Sequence, residues 1–400
     1  MADSRPRRRS RGVFAIALRV VTYFVLAWGV VAVLASSAFA GGAWVTALVA
    51  TYFTIPLIVF IRWRGWPFYP NAWFRLLVVR PFWYAQLVLP LVAAAGLLGL
   101  VVGWPFGHAL LIGRTLASVV AIVVAAILVA GYLGSRRLVV RHVDVDVPGL
   151  PESFDGLRIA QLSDLHIGPH TSKRFINRVV AATRALTPDL VAVTGDLIDD
   201  RAEDVAVYAS TIGALDAPLG VYMIPGNHDV YAGWDDVEHA LRVAGIGTVL
   251  VNEARSIHRG GDAITLVGTG DPAGGRRGTA RVAPDIDRAM SHVASDAIVI
   301  AFAHNPALWP PLVERGVALT LSGHTHWGQF AMPRLGWSLA SPFLEHAMGA
   351  HHDDTSVLYI SPGTGYWGIP FRLGALPEVT LVTLRRADRA AARVHKPRAA

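Results

Sequence analysis

Four long apolar stretches in the first third of the chain constrain its fold more than any other feature. They run over roughly 13–35, 43–61, 85–104 and 115–133. Crossing a hydrocarbon layer of ~30 Å takes about 20 helical residues, and each stretch is of that order. Their polar residues are mostly Ser, Thr, Gly and Tyr, and Arg19 lies close enough to the start of the first to snorkel to an interface. Soluble helices alternate polar and apolar faces; these stretches do not, and the expectation is an N-terminal four-helix transmembrane bundle. Composition agrees. Charged residues make up 16% of the 400-residue chain and apolar ones 53%, against about 25% charged in a soluble protein.

The loops orient the bundle. Arg5, Arg7, Arg8, Arg9 and Arg11 precede the first stretch, and the first loop has no base. The second loop carries Arg62, Arg64, Arg75 and Arg80, the third only Arg114, and Arg136, Arg137 and Arg141 follow the fourth stretch. Twelve bases against one put both ends of the bundle in the cytoplasm of a multi-pass inner-membrane protein. Trp63, Trp66, Trp73 and Trp83 fit an aromatic belt at the second loop. Ala38-Phe39-Ala40 has the look of a cleavage site, but the apolar run before it exceeds the roughly 7–15 residues of a signal core, so an uncleaved anchor is expected.

The net charge of +7 hides a split. Residues 1–141 carry fourteen bases and one acid, Asp3, whereas 142–384 have a net charge of −11. A basic, duplex-gripping domain is excluded, and no nucleic-acid partner is expected. The absence of cysteine excludes disulfides, thiolate metal sites and a Cys nucleophile. The domains expected are a membrane anchor over 1–138, a catalytic domain over 139–384 and a basic flexible tail over 385–400, with Arg385, Arg386, Arg389, Arg393, Lys396 and Arg398.

From about Val139 short apolar runs alternate with helix-like segments such as 171–186 and 234–244. Five runs end in polar clusters: Leu157–Leu162 before Ser163-Asp164-Leu165-His166, Leu190–Thr194 before Gly195-Asp196-Leu197-Ile198-Asp199, Gly220–Ile224 before Pro225-Gly226-Asn227-His228-Asp229, Ala297–Ala303 before His304, and Val317–Leu321 before Ser322-Gly323-His324-Thr325-His326. Open α/β sheets place their ligands at such strand ends. The clusters offer carboxylates, an amide and imidazoles with no soft donor, which suits Mn, Fe, Zn or Co. Seven donors are too many for one ion and suit two ions sharing a carboxylate, a known device for phosphate-ester cleavage.

The ordered series Asp-x-His, Gly-Asp-x-x-Asp, Gly-Asn-His-Asp, a lone His and Gly-His-x-His resembles the calcineurin-like metallophosphoesterase superfamily. The flanks Ser163–Gly168, Thr194–Asp199 and Ser322–His326 resemble its membrane-associated bacterial branch. The resemblance covers roughly 155–384 and implies an α/β/β/α sandwich of two mixed sheets. It implies one metal ion on Asp164, His166, Asp196 and His326, and a second on Asp196, Asn227, His304 and His324. His228 would protonate the leaving alkoxide, oriented by Asp229. The expected activity is hydrolysis of a phosphoester or pyrophosphate by a hydroxide bridging two divalent ions. A lipid-linked substrate, such as an acylated sugar-nucleotide pyrophosphate, is the preferred class because four spans exceed the needs of tethering. A non-catalytic membrane scaffold is the alternative; lost ligands would mark it, and none is missing.

Other features read as structure. Asp199 is taken as a turn or supporting residue and left out of the site. Gly268-Thr269-Gly270-Asp271 reads as a turn, and Arg276-Arg277 and His351-His352-Asp353-Asp354 as solvated loops. Asp144 and Asp146 alternate with valines as the wet face of a strand. Trp327 stands where the resembled branch has Gly, a departure expected to narrow the substrate approach. With Phe330, Trp337, Tyr366, Trp367 and Phe371 it is read as either core or the lining of an apolar groove.

Overall fold

The computed structural model describes residues 6–63, 71–387, 393–395 and 398–399; Arg5, Arg64, Trp66, Arg389 and Lys396 lie outside the described residues. The chain forms two compact units, Met1–Val129 and Ala130–Ala400.

The first unit is helical. Its helices are Pro6–Ala38, Gly42–Trp63, Arg80–Gly103 and the greater part of Ala109–Ser135. Polar side chains within them bond back to their own backbone, as Thr46 does to the Gly42 carbonyl and Thr115 to that of Leu111, both at 2.8 Å. That satisfies the hydroxyl within its own helix. Among the described residues, two stretches are long and apolar enough to cross a membrane, Arg75–Phe106 and Ala109–Ser135. They contain the third and fourth expected spans. The first two expected spans also fall on helices, but their described apolar parts, Thr22–Ala38 and Gly42–Leu57, are shorter.

The second unit holds two mixed sheets. In chain order the strands are β1 (Val139–Pro148), β2 (Arg158–Leu162), β3 (Leu190–Thr194), β4 (Val221–Ile224), β5 (Thr248–Val249), β6 (Glu253–Arg259), β7 (Asp262–Gly268), β8 (Val299–Phe302) and β9 (Leu319–Ser322). A small hairpin, β10 (Ala331–Met332) and β11 (Trp337–Ser338), precedes β12 (Gly349–His352), β13 (Val357–Ile360), β14 (Glu378–Ala387), β15 (Arg393–Val394) and β16 (Arg398–Ala399). The first sheet runs β15-β1-β14-β2-β3-β4-β5, with β16 also on β1, and β2 to β5 are parallel. The second runs β12-β13-β9-β8-β7-β6, parallel from β7 to β13 with antiparallel edges.

Strand alternation builds the layers. Leu190 and Ala192 of β3 face the second sheet, where Leu266, Ile300, Phe302 and Leu321 meet them. Val191 and Val193 face the helices Lys173–Ala185, Asp204–Ile212 and Trp234–Val243 through Val179, Ile212 and Val237. Burial on both faces explains why these strands read as unbroken apolar runs. Across the second sheet, Val299 and Ala301 pack on Leu312 and Ala289. The result is the expected α/β/β/α order. On β1, Val143, Val145 and Val147 are buried while Asp144 and Asp146 point outward, 3.2 Å from Arg385 and 2.9 Å from His395.

One boundary differs from expectation. Residues from 385 do not form a flexible arm throughout. Strand β14 continues through Arg385 and Arg386 to Ala387, and β15 and β16 pair antiparallel with β1. The outer edge of β1 presents unpaired peptide groups that the returning chain can satisfy.

Candidate metal centre

The five polar clusters leave the C-terminal ends of β2, β3, β4, β8 and β9, as the sequence pattern predicts. To turn inward there, the chain enters the left-handed region. Asp164, His166, Asp196, His324 and His326 have φ of 52°, 44°, 50°, 70° and 49°. Each such residue costs of order 1 kcal/mol, which persists only where the surroundings over-determine the backbone. Glycines provide the close approaches: a Cβ on Gly195 would lie 2.5 Å from the His304 ring, and one on Gly226 would lie 2.2 Å from Asp196 Oδ1.

Asp164, His166, Asp196 and His326 each place one donor atom within 4.8 Å of the others, and all four are buried. His166 Nε2 is 3.0 Å from His326 Nε2 and 3.6 Å from Asp196 Oδ2, and His326 Nε2 is 3.3 Å from Asp164 Oδ1. The other residues expected at the centre meet in pairs. His304 Nε2 lies 3.2 Å from Asp196 Oδ2, and His324 Nδ1 lies 2.7 Å from Asn227 Oδ1. Asn227 and His324 are half-buried, whereas His304 is fully buried.

These donors fit a divalent cation. His304 Nδ1 donates to the Thr194 carbonyl at 2.8 Å, so in the neutral ring Nε2 carries the lone pair and faces a carboxylate oxygen without a hydrogen bond. A proton or a cation has to sit between them. Asp199 Oδ1, 3.3 Å from His166 Nδ1, favours the tautomer that turns the Nε2 lone pair inward. His326 differs. The buried Arg372 donates from Nη2 to its Nδ1 at 2.8 Å, which places the proton of the neutral ring on Nε2, where an entering ion must displace it.

The electrostatics divide the histidines. For His304 and His166, burial works against the charged form, but Asp196 and the other carboxylates outweigh it and hold both above the usual imidazole range. Burial pushes His324 down to about 4, helped by His304, and burial with Arg372 pushes His326 well down. Burial alone would raise Asp196, but His304 and His166 hold it below the usual carboxylate range.

The expected proton donor sits beside the first cluster, with its ring centroid 4.7 Å from that of His166. Its orienting partner is not Asp229. The Asp229 carboxylate accepts from the backbone N–H groups of Gly226, Ile198 and Leu197 at 2.9, 3.0 and 3.3 Å, tying two ligand loops together. A buried carboxylate three residues into a helix is drawn to such orphan donors before any side chain. Burial and the nearby Asp196 charge push it up to about 7. Asp199 takes the orienting place: its backbone oxygen is 2.6 Å and its Oδ1 3.6 Å from His228 Nδ1.

Trp327 takes the core reading of the two: it is buried, donates from Nε1 to the Ile360 carbonyl at 3.0 Å, and packs with Trp309, Leu358 and Ala375. Of the aromatics grouped with it, Trp367 is exposed. Arg276 and Arg277 lie exposed on a short helix, Pro272–Arg277, capped by Asp271, rather than on a loop. His351 and His352 close β12, and no metal-type cluster among the described residues includes them. Arg372 was invisible in the sequence, being one arginine among 36 bases with no motif spacing to mark it.

The family model for calcineurin-like phosphoesterases matches residues 157–328, which carry all seven expected donors. The domain belongs to the calcineurin-like metallophosphoesterase superfamily. The chain is 32% identical over 279 residues to a zebrafish (Danio rerio) transmembrane protein with metallophosphoesterase domain, a match covering 68% of this chain and 63% of that protein. It is 35% identical over 229 residues to a metallophosphoesterase of Helicobacter pylori, covering 57% and 60%. The chain thus spans less than two thirds of the length of these relatives. A calcineurin-like phosphoesterase of Bacillus subtilis, YfkN, aligns at a TM-score of 0.34 and 14% identity over 62% of this chain and 90% of that one.

Proposed function

We propose that the chain is a membrane-bound, metal-dependent hydrolase of phosphoester or pyrophosphate bonds, working with two divalent ions. The convergence of Asp164, His166, Asp196 and His326 within 4.8 Å carries this reading. Asp164, His166, Asp196 and His326 would hold one ion, and Asp196, Asn227, His304 and His324 the other. Ions there supply positive charge that acidifies water and offsets charge building on the phosphoryl oxygens.

The protein groups do the rest. Asp196, aligned by the His228 backbone N–H at 2.8 Å, would serve both ligand sets. Asp164 accepts from the His324 backbone N–H at 3.0 Å, which fixes the β9 loop against the β2 loop. His228 gives its proton to the leaving oxygen, and Asp199 fixes the ring.

We further infer a multi-pass anchor of four helices with both ends cytoplasmic, supported by the loop charges, and a lipid-linked substrate. Mn, Fe and Zn all suit the donor set. The test is a Mn²⁺-supplemented screen of phosphodiesters, pyrophosphates and phospholipids with purified full-length protein, with Asp196→Asn as control. Ready hydrolysis of soluble diesters with none of phospholipids or nucleotide-linked lipids would reject the lipid assignment. Protease protection in sealed vesicles tests the topology, and an exposed periplasmic domain would overturn it.

A further inference from the structure

Three rings contact the His228 imidazole: His166, and the rings of Tyr231 at 5.6 Å and Trp367 at 6.2 Å between centroids. The last two are 43% and 54% exposed. Isolated exposed aromatics are ordinary, but these two are held in place. The Gln329 amide clamps the Trp367 backbone by two bonds, Nε2 to the carbonyl and the Trp367 N–H to Oε1, both 3.0 Å. Gln329 itself stands at φ 58°, at the end of the left-handed run that begins with His326. The Arg277 guanidinium lies 5.0 Å from the Tyr231 ring centre and covers one face. Two exposed rings therefore stand beside the proton donor, one on the helix that Asn227 opens and the other clamped by a residue of the left-handed run that begins at His326.

We propose that Tyr231 and Trp367 form a stacking subsite for a planar leaving group, an aryl or nucleoside-type alcohol. This rests on His228 being the leaving-group acid. Hydrolysis adds water across the P–O bond: the water oxygen joins phosphorus, and the leaving oxygen departs with the His228 proton, which water then restores. A leaving oxygen within reach of His228 carries its substituent past one or both rings. Flat, rigid aromatic surfaces recognise a planar ring at little entropic cost because they are already fixed.

The test uses hydrolysis-inert probes, so that binding is read apart from turnover. Full-length protein in detergent, loaded with Mn²⁺, is titrated calorimetrically with benzylphosphonate and with propylphosphonate. The benzyl probe is expected to bind about tenfold more tightly. Trp367→Ala and Tyr231→Ala should each cut that preference to about threefold or less, with Mn²⁺ content unchanged, while Trp367→Phe keeps it. No benzyl preference in the wild type, a preference that survives both alanine variants, or tighter binding of octylphosphonate than of the benzyl probe would overturn the proposal. Turnover of bis(p-nitrophenyl) phosphate by the wild type is measured alongside. Its absence would count against the hydrolase reading and leave the binding result to decide the subsite.

Discussion

The two halves of the ligand constellation are built differently. Asp164, His166, Asp196 and His326 converge within 4.8 Å, all buried and all on left-handed backbone. Asn227, His304 and His324 meet only as pairs, two of them are half-buried, and Asn227 opens a helix rather than a strained turn. A set already drawn together needs little reorganisation to receive an ion, whereas the second set, if it holds one as proposed, would have to close around it. Strain is concentrated where the geometry is tight. The first half should therefore bind first and exchange slowly, and the second should be the exchangeable position.

The variants that probe this contrast differ in expected size. Asp196 faces both halves, so Asp196→Asn should empty the centre and lower hydrolysis by about a thousandfold or more, because each site contributes several kcal/mol of charge stabilisation. Metal analysis and activity assays on one preparation check this together. His228→Ala should keep both ions and lose ~10²–10⁴-fold in rate on esters with poor leaving groups; full turnover would remove its role as acid. Asp199→Asn should cost about 10–100-fold in metal affinity or rate, since it acts through His166 and His228, and Asp229→Asn should show its effect as a lowered Tm instead. The smallest effect is on pH. His166 and His304 are held above, and His324 and His326 below, the ordinary imidazole range. A ring held above the ordinary range keeps its proton to higher pH and must shed it to bind an ion, so affinity should fall as pH falls. Calorimetry in buffers of different ionisation enthalpy should register the proton release.

How much of this was legible in the sequence follows the same division. Short unbroken apolar runs ending in Asp, Asn or His were enough to find β2, β3, β4, β8 and β9 and the four residues that converge at their ends, because strand ends and ligand chemistry are local. The partners of those donors were not. Asp229 reads as a natural orienting group for its neighbour His228, yet a helix N-terminus turns it onto backbone N–H groups. Asp199, 29 residues away, supplies the contact instead. Trp327 read equally as core or groove lining, and only its φ of 49° and its packing settle it as core. Arg372 reaches His326 across 46 residues through tertiary folding alone.

Stepwise Mn²⁺ titration of the metal-free full-length protein, followed by electron paramagnetic resonance and calorimetry, tests the central claim most directly. Two classes of site are expected, with the tighter one filled first. His324→Ala should remove the weaker class and leave the tighter one, and Asp164→Asn should remove the tighter one. A single class of site in the wild type, or loss of the tighter class on His324→Ala, would contradict the account.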